Sequence, residues 1–261
     1  MSLWRYGWWL DGSPKTMLVS SGAVLPAGKY YWEVQILTGG VGASAGYGVL
    51  AGIANASLLV TDTVDASVNL AQLRSQYGIF WTSKVDAAGG TPVFGYPTLP
   101  SVAAQRVATA VNDIWAIALN TTTHRIWWRR LTGANTNWNV SALADPATGV
   151  GGEDISASGS SPVIGRIYAL CGADLGDNPL NTFTSPGSGK VNFGATAFSG
   201  TAPTSFVSPY SIYTDAALSS TDKSASITLS GGNLTFAGNA RNGAYADPYS
   251  CARSNFSFAQ A

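Results

Sequence analysis

Apolar and polar residues alternate along the clearest segments of the chain, and this period of two is typical of β-strands. In residues 29–37 every even-numbered position is apolar, whereas the odd-numbered positions include Tyr31, Glu33 and Gln35. The pattern predicts a strand whose even-numbered side chains share one face and whose odd-numbered side chains share the other.

Two neighbouring segments extend this prediction. Residues 113–120 are apolar on both faces, which is expected of a central strand in a β-sandwich. After a threonine-rich turn, residues 124–131 place Ile126 and Trp128 on one side of a strand and Trp127 and Arg129 on the other. Trp128 is therefore expected in the core, and Trp127 and Arg129 are expected at the surface.

Further strand patterns are punctuated by glycine, proline and asparagine. They lie at 47–54, 77–82, 163–170 and 189–193. The best helical spacing, in 65–77, is short. Many short strands without a long helix predict an all-β fold, an antiparallel two-sheet β-sandwich.

The longest predicted loop covers residues 132–162 and is rich in glycine, asparagine, serine and aspartate. Loops of this length inside a compact domain are usually functional or disordered. Trp138 lies in this loop. Because an exposed tryptophan is costly, we expect it either to return onto the sandwich or to contact a partner.

Charge is scarce, because only 11% of the 261 residues are charged and 14 basic side chains balance 14 acidic ones. A nucleic-acid surface needs clustered Lys and Arg, so we expect no nucleic-acid partner.

The uncharged stretch 34–61 is long enough to span a bilayer, but its many glycines favour two strands around a loop over membrane insertion. The small number of charges favours a subunit of an assembly, in which much of the surface contacts other protein. An ordinary β-protein with few charges is the alternative.

Candidate catalytic groups are few. His124 is the only histidine, and it begins a strand beside a turn, so we interpret it as a turn residue rather than a general base. Glycoside hydrolysis needs two facing carboxyl groups, but nothing in the sequence brings Glu33 and Glu153 together. Cys171 and Cys251 lack metal-ligand spacing. We expect a protein that is not an enzyme and uses no cofactor and no metal.

Aromatic residues and arginines remain as binding candidates, because both types anchor interfaces and aromatic rings stack on sugars. The candidate binding residues are Trp127, Arg129, Arg130, Trp138, Trp81 and Tyr96. Trp127, Arg129 and Trp138 are the ones expected at the surface. A second group near the N-terminus is a candidate interface and consists of Trp4, Tyr6, Trp8 and Trp9. Such an aromatic run more often docks onto another surface than stays in solvent.

Six segments, in chain order, resemble the strands of SPRY domains and together span most of residues 20–210. They are Gly28–Val34 (GKYYWEV), Gly48–Asn55 (GVLAGIAN), Tyr77–Trp81 (YGIFW), Asp113–Leu119 (DIWAIAL), His124–Trp128 (HRIWW) and Val191–Phe198 (VNFGATAF). Ala116 stands where the family has glycine, and the turn 120–123 reads Asn-Thr-Thr-Thr instead of an Asn-Gly type. The loop 145–152 also resembles SPRY-like modules of tailed-phage virion proteins.

The resemblance implies a bent sandwich of two antiparallel sheets, similar to the concanavalin-like lectin fold. It also implies binding through loops at one edge rather than catalysis. We therefore expect a SPRY-like β-sandwich in residues 1–214, followed by a β-rich C-terminal extension in 215–261. Residues 224–238 resemble the strand that normally opens such a module. The extension is expected to complete its own sheet or a neighbour's, or to form a separate hairpin on the domain.

These observations lead to one expected function and two alternatives. We expect a structural or adhesion subunit of a bacteriophage virion, such as a fibre, spike or decoration protein. Its expected partners are other virion proteins, further copies of itself, and a glycan or protein of the host surface. A free-standing carbohydrate-binding module is the main alternative. An intracellular protein-interaction adaptor is the third.

Overall fold

The protein is described here by a computed structural model. It describes residues 23–38, 41–42, 48–54, 78–82, 93–94, 107–108, 111–132, 136–154, 166–173, 183–185, 187–223, 227–238 and 250–259. The strands are β1 (Ala23–Leu25), β2 (Lys29–Thr38), β3 (Val41–Gly42), β4 (Gly48–Ala54), β5 (Gly78–Thr82), β6 (Val93–Phe94), β7 (Val107–Ala108), β8 (Ile114–Asn120), β9 (Arg125–Arg130), β10 (Glu153–Asp154), β11 (Arg166–Ala173), β12 (Phe183–Ser185), β13 (Ser188–Asn192), β14 (Leu218–Lys223), β15 (Ile227–Ser230), β16 (Thr235–Gly238), β17 (Ser250–Ser254) and β18 (Phe256–Phe258). Helical structure in this part of the chain consists of α1 (Pro209–Ile212) and a 3-10 turn at Trp138–Val140.

Two antiparallel sheets make up the body of the fold. The larger has seven strands in the order β10-β9-β8-β2-β13-β16-β15, and the smaller has five in the order β14-β17-β11-β4-β5. Short pairs accompany them: β1 with β18, β3 with β12 and β6 with β7. The expected all-β antiparallel sandwich is confirmed.

The main core lies on one face of the seven-stranded sheet. Its residues come from both sheets and from the short β1–β18 pair, and nearly all are less than 5% exposed. On β2 the core side chains are those at even positions, from Tyr30 to Ile36, as the alternation predicted. Leu218 and Ala252 of the five-stranded sheet close the core from the opposite side. The apolar period of β2 therefore determines which of its faces meets the second sheet.

The predicted strands at 29–37, 47–54, 77–82, 124–131 and 189–193 agree with observed strands to within one or two residues. Residues 163–170 correspond to β11, which begins and ends about three residues later. The segment 113–120 is β8, buried on both faces as expected of a central strand. The predicted helix at 65–77 lies outside the described residues.

The C-terminal segment completes the protein's own sheets. β16 hydrogen-bonds to β13 in the larger sheet, and β17 hydrogen-bonds to β11 in the smaller one. Phe236 of β16 is fully buried opposite Gly189, where an added Cβ would lie 2.5 Å from the phenyl ring. Glycine at position 189 therefore makes room for an aromatic ring supplied by the C-terminal segment. Of the expected roles for residues 215–261, completion of the chain's own sheets is the one observed.

The chain ends of the described part also meet. β1 runs parallel to β18, with Ala23 opposite Phe256 and Leu25 opposite Phe258. The Phe258 ring lies 4.8 Å from that of Tyr30, and the Phe256 ring packs edge-on against Phe193 at 5.1 Å. β18 thus inserts two phenyl rings into the core beside β2.

In the described residues, no helix is both long enough and apolar enough to cross a bilayer.

Truncation to residues 1–214 should abolish cooperative folding, because it removes two strands from each sheet and the buried rings of Phe236, Phe256 and Phe258. Each buried phenylalanine contributes on the order of 3–5 kcal/mol to a core. Near-ultraviolet circular dichroism and thermal unfolding would measure the loss, with the full chain as reference. A truncated chain that remains a monomer with an intact near-ultraviolet spectrum and a sharp melting transition would contradict this assignment.

Candidate functional site

The second face of the seven-stranded sheet, here called the outer face, is apolar as well. Tyr31 of β2, Ala116 and Ala118 of β8 and Trp127 of β9 share it, and each is completely buried. Strands that are apolar on both sides need cover on both sides. On the outer face, two loops supply that cover. Loop A comprises residues 136–152 and loop B comprises residues 198–207.

Each loop presses aromatic and small side chains onto the outer face. The loop side chains packed there are Trp138 and Ala144 from loop A, and Phe198, Ala202 and Phe206 from loop B, with Leu131 beside them. The Phe206 ring packs edge-on against Trp127 at 6.3 Å, and the Phe198 ring packs edge-on against Tyr31 at 4.7 Å. Both loops therefore belong to a second, smaller core.

Asn139 fixes loop A to the edge of the sheet. Its side-chain oxygen accepts a hydrogen bond from the Trp128 amide at 2.9 Å, and its amide nitrogen donates to the carbonyls of Ile126 at 3.3 Å and Gly151 at 2.8 Å. The side chain thus binds β9 at Ile126, which is opposite Glu153 of β10, and at Trp128, which lies beyond the end of β10. Asn139 adopts a φ of 45°, a left-handed conformation that asparagine tolerates better than most residues.

A second group of contacts fixes the return limb of loop A. The indole N–H of Trp127 donates to the Val150 carbonyl at 2.8 Å, and the Arg125 guanidinium donates to the Gly152 carbonyl at 2.9 Å. A Cβ at position 152 would lie 2.4 Å from the Trp127 ring, so only glycine lets the backbone approach this closely.

The tip of loop A is a narrow turn closed by its own polar groups. Asp145 and Val150 exchange two backbone hydrogen bonds, of 3.0 and 3.1 Å. The Asp145 carboxylate accepts from the Ala147 amide at 2.9 Å and from the Thr148 hydroxyl at 3.1 Å. Both oxygens of this carboxylate therefore stabilise the turn itself.

Glu33 of β2 fixes loop B to the sheet through hydrogen bonds to the loop backbone. It is 3% exposed, and its carboxylate accepts hydrogen bonds from the amides of Ser199 at 2.9 Å and Gly200 at 2.8 Å. The Tyr31 hydroxyl donates a third, at 2.8 Å. Three donors compensate the cost of burying this carboxylate. Burial and the negative charge of Glu33 raise the pKa of Tyr31 well above its usual range.

Arg129 joins the two loops. Its guanidinium lies 4.4 Å from the centre of the Trp138 ring in loop A and donates a 3.2 Å hydrogen bond to the Thr201 carbonyl in loop B. Stacking on an indole and bonding to a carbonyl are compatible, because the guanidinium is planar and carries donors at its edge. Loop A and loop B are therefore held next to one another across the outer face.

The expectation that Trp127 and Trp138 lie at the surface is wrong. Trp127 is 0% exposed and Trp138 is 9% exposed. Alternation places Trp127 on the face opposite Trp128, but that face is covered by loop A instead of solvent. Of the two outcomes expected for Trp138, its return onto the sandwich is the one observed.

The remaining candidates fall into three groups. Arg129 is half-buried between the loops, and Arg130 is paired with the Asp113 carboxylate at 3.3 Å, with both side chains about nine-tenths buried. Asp113 also accepts a 2.6 Å hydrogen bond from the Thr132 hydroxyl. These contacts give Arg130 a structural role.

Trp81 lies in β5, where the structure describes the backbone only. The other candidates, Tyr96 together with Trp4, Tyr6, Trp8 and Trp9, lie outside the described residues.

Sequence reasoning missed the two side chains that position the loops, Glu33 and Asn139. Glu33 carried a weak signal, because it is the single acidic residue of its strand. Asn139 carried none, since two further asparagines, Asn135 and Asn137, lie within four residues of it. Across the described side chains, no group of three or more His, Cys, Asp or Glu residues is arranged to hold a metal ion. The described charges of the site, those of Glu33, Arg125, Arg129 and Asp145, are engaged in contacts within the chain.

Replacing Asn139 by alanine should destabilise the fold by about 2–4 kcal/mol, because it leaves buried backbone groups of β9 without partners. Chemical denaturation would measure the change. Asn137→Ala is the matched control, because Asn137 is an exposed asparagine of the same loop whose side chain makes no capping hydrogen bond, and it should stay within about 0.5 kcal/mol of wild type. Equal stabilities for the two variants would show that Asn139 does not fix loop A.

The raised pKa of Tyr31 predicts a loss of stability in alkali. The unfolded chain releases this phenolic proton near the ordinary pKa of 10.0, whereas the folded chain retains it, so the stabilisation is present below pH 10 and lost as pH rises. Tyr31→Phe should therefore flatten the fall in unfolding free energy between about pH 9 and 11. Thr228→Ala, at an exposed position, should keep the wild-type slope. Parallel curves for Tyr31→Phe and wild type would contradict the assignment.

Comparisons of the chain with protein families, curated proteins and solved structures found no match. The resemblance to SPRY domains therefore rests on the six segments alone. The architecture rests on the observed strand order and on the two cores of the seven-stranded sheet.

Proposed function

We propose that this chain is a non-enzymatic structural or adhesion subunit of a bacteriophage virion, built on a SPRY-like sandwich that binds through its loops. The six SPRY-like segments and the phage-like loop 145–152 support the proposal. The low charge of the chain supports it too, because subunits packed against other protein need fewer surface charges than free monomers do.

The observation that carries the proposal is the fixation of loop A and loop B on the outer face. Buried Asn139 and Glu33 hold the two backbones, and Arg129 joins them. Binding loops on a rigid scaffold lose little conformational entropy when a partner docks. Loops fixed in this way are suited to repeated contacts with a partner of defined shape, as virion assembly and host attachment require.

One observation weighs against the carbohydrate-binding alternative. Sugar recognition usually relies on an exposed aromatic ring for stacking. The tryptophan side chains that the structure describes are all buried, and they are Trp32, Trp115, Trp127, Trp128 and Trp138. Their surfaces serve the two cores, so in this part of the chain protein contact is the better-supported mode of binding.

Immunogold electron microscopy tests the proposal. An antibody raised against the purified chain would be applied to phage particles prepared from cultures of the organism that encodes it. We expect gold particles at a fixed position on the virions. An antibody signal confined to the soluble fraction of the cells, with unlabelled particles, would overturn the proposal.

A glycan array of the full chain tests the alternative. Protein-directed binding predicts no specific glycan signal at protein concentrations up to about 100 μM, a level that detects the weak affinities of single sugar sites. Specific and saturable binding to one glycan class would replace assembly by carbohydrate recognition as the mode of action.

A further inference from the structure

Arg129 carries a positive charge that no carboxylate of the chain neutralises. Arg130, its neighbour in sequence, pairs with Asp113. Arg253 likewise pairs with Asp222. Arg129 forms no such ion pair with any described residue, although its side chain is half-buried and has therefore lost part of its hydration. A carboxylate is the group that would compensate this charge best.

The groups that hold Arg129 in place are neutral. Its guanidinium lies 4.4 Å from the centre of the Trp138 ring and donates to the Thr201 carbonyl at 3.2 Å. It also lies close to the Tyr31 hydroxyl, because burial and Glu33 raise the pKa of Tyr31 while the Arg129 charge acts in the opposite direction. A ring, a carbonyl and a hydroxyl fix the orientation of the guanidinium and leave its net charge in place.

Glu33 is the buried carboxylate of the same sheet face, but other donors occupy its oxygens. They accept hydrogen bonds from the amides of Ser199 and Gly200 and from the Tyr31 hydroxyl. These three donors, rather than a cation, stabilise the Glu33 charge. Arg129 therefore keeps the capacity to bind a carboxylate supplied from outside the chain.

A partner that docks on the two loops would reach Arg129. The hydrogen bond from Arg129 to Thr201 lies at an exposed position, where loop A and loop B meet. Arginine and tryptophan are enriched among the residues that dominate interface affinity. The planar guanidinium suits the two oxygens of a carboxylate, and a side chain that is already ordered loses little entropy on binding.

We propose that Arg129, held by Trp138 between loop A and loop B, binds an aspartate or glutamate side chain of a partner protein. The inference rests on the proposed binding through these loops and names the chemical group that they recognise. A protein carboxylate is favoured over that of an acidic sugar, because the Trp138 ring is only 9% exposed and is engaged by the guanidinium. It offers little surface for sugar stacking.

Two blocked amino acids of matched shape test the proposal by nuclear magnetic resonance. N-acetylglutamate amide carries one carboxylate, and N-acetylglutamine amide carries none. Each is titrated to about 100 mM into the full chain at constant ionic strength, while the Trp138 indole N–H and the Thr201 amide are observed. The glutamate compound should shift both signals with a dissociation constant on the order of 10 mM, since one ion pair without further contacts binds weakly. The glutamine compound should shift neither.

Three variants place the effect at Arg129. Arg129→Gln should weaken binding of the glutamate compound at least tenfold, because it removes the charge. Arg129→Lys should weaken it less, since an ammonium group keeps the charge but lacks the planar fork. Lys190→Gln is the matched control, because it removes one positive charge from β13, which β8 and β2 separate from β9. It should bind as wild type does.

The thermal midpoint of each variant verifies its fold, and the comparison of the two compounds on wild type needs no variant. Equal shifts from both compounds, or no saturable shift with the glutamate compound, would overturn the proposal. A Lys190→Gln variant weakened as much as Arg129→Gln would overturn it too. Methyl glucuronide is the acidic-sugar probe, and tighter binding of this sugar than of the glutamate compound would reject a protein carboxylate as the ligand.

These results are independent of the immunogold experiment. A chain that ignores the glutamate compound but lies on labelled virions would remove the Arg129 site and leave the virion role standing. Binding of the glutamate compound by a chain that is absent from virions would do the reverse.

Discussion

The structure depends on one constraint, which is that β8 is apolar on both faces. Ile117 and Leu119 point into the main core, while Ala116 and Ala118 point to the outer face, and all four are buried. A sheet with such a strand at its centre must be covered on both sides, because leaving either side in water would expose a continuous apolar surface. The five-stranded sheet covers one side and the two loops cover the other.

The two covers differ in what holds them. The sheet-to-sheet contact is made largely by apolar side chains, including the phenyl rings that the C-terminal strands contribute. The loops have few apolar side chains, and their irregular backbones expose polar groups that no strand pairs. Buried polar side chains compensate for this, because Asn139 binds backbone groups of β9 and Glu33 binds amides of loop B. Burial of polar groups at this face is therefore a consequence of covering a sheet with loops.

This arrangement connects the fold to the proposed function. Loops that served only as connections would need no such bracing, whereas loops that bind gain affinity when their shape is fixed beforehand. Arg129 illustrates the point, because it contacts both loops and so couples the position of Trp138 to that of Thr201. The loops thereby gain a defined position relative to one another.

The sequence by itself determined the strands and their faces, because a period of two in β2 and β9 and a doubly apolar β8 are local properties of the chain. Only the tertiary structure decided what each face meets. Alternation placed Trp127 opposite Trp128 but could not show that loop A would return to bury it, since that return depends on contacts between residues distant in the chain. The same holds for Phe236, whose place opposite Gly189 depends on pairing between β16 and β13, and for Asn139, whose role exists only beside the edge of β9.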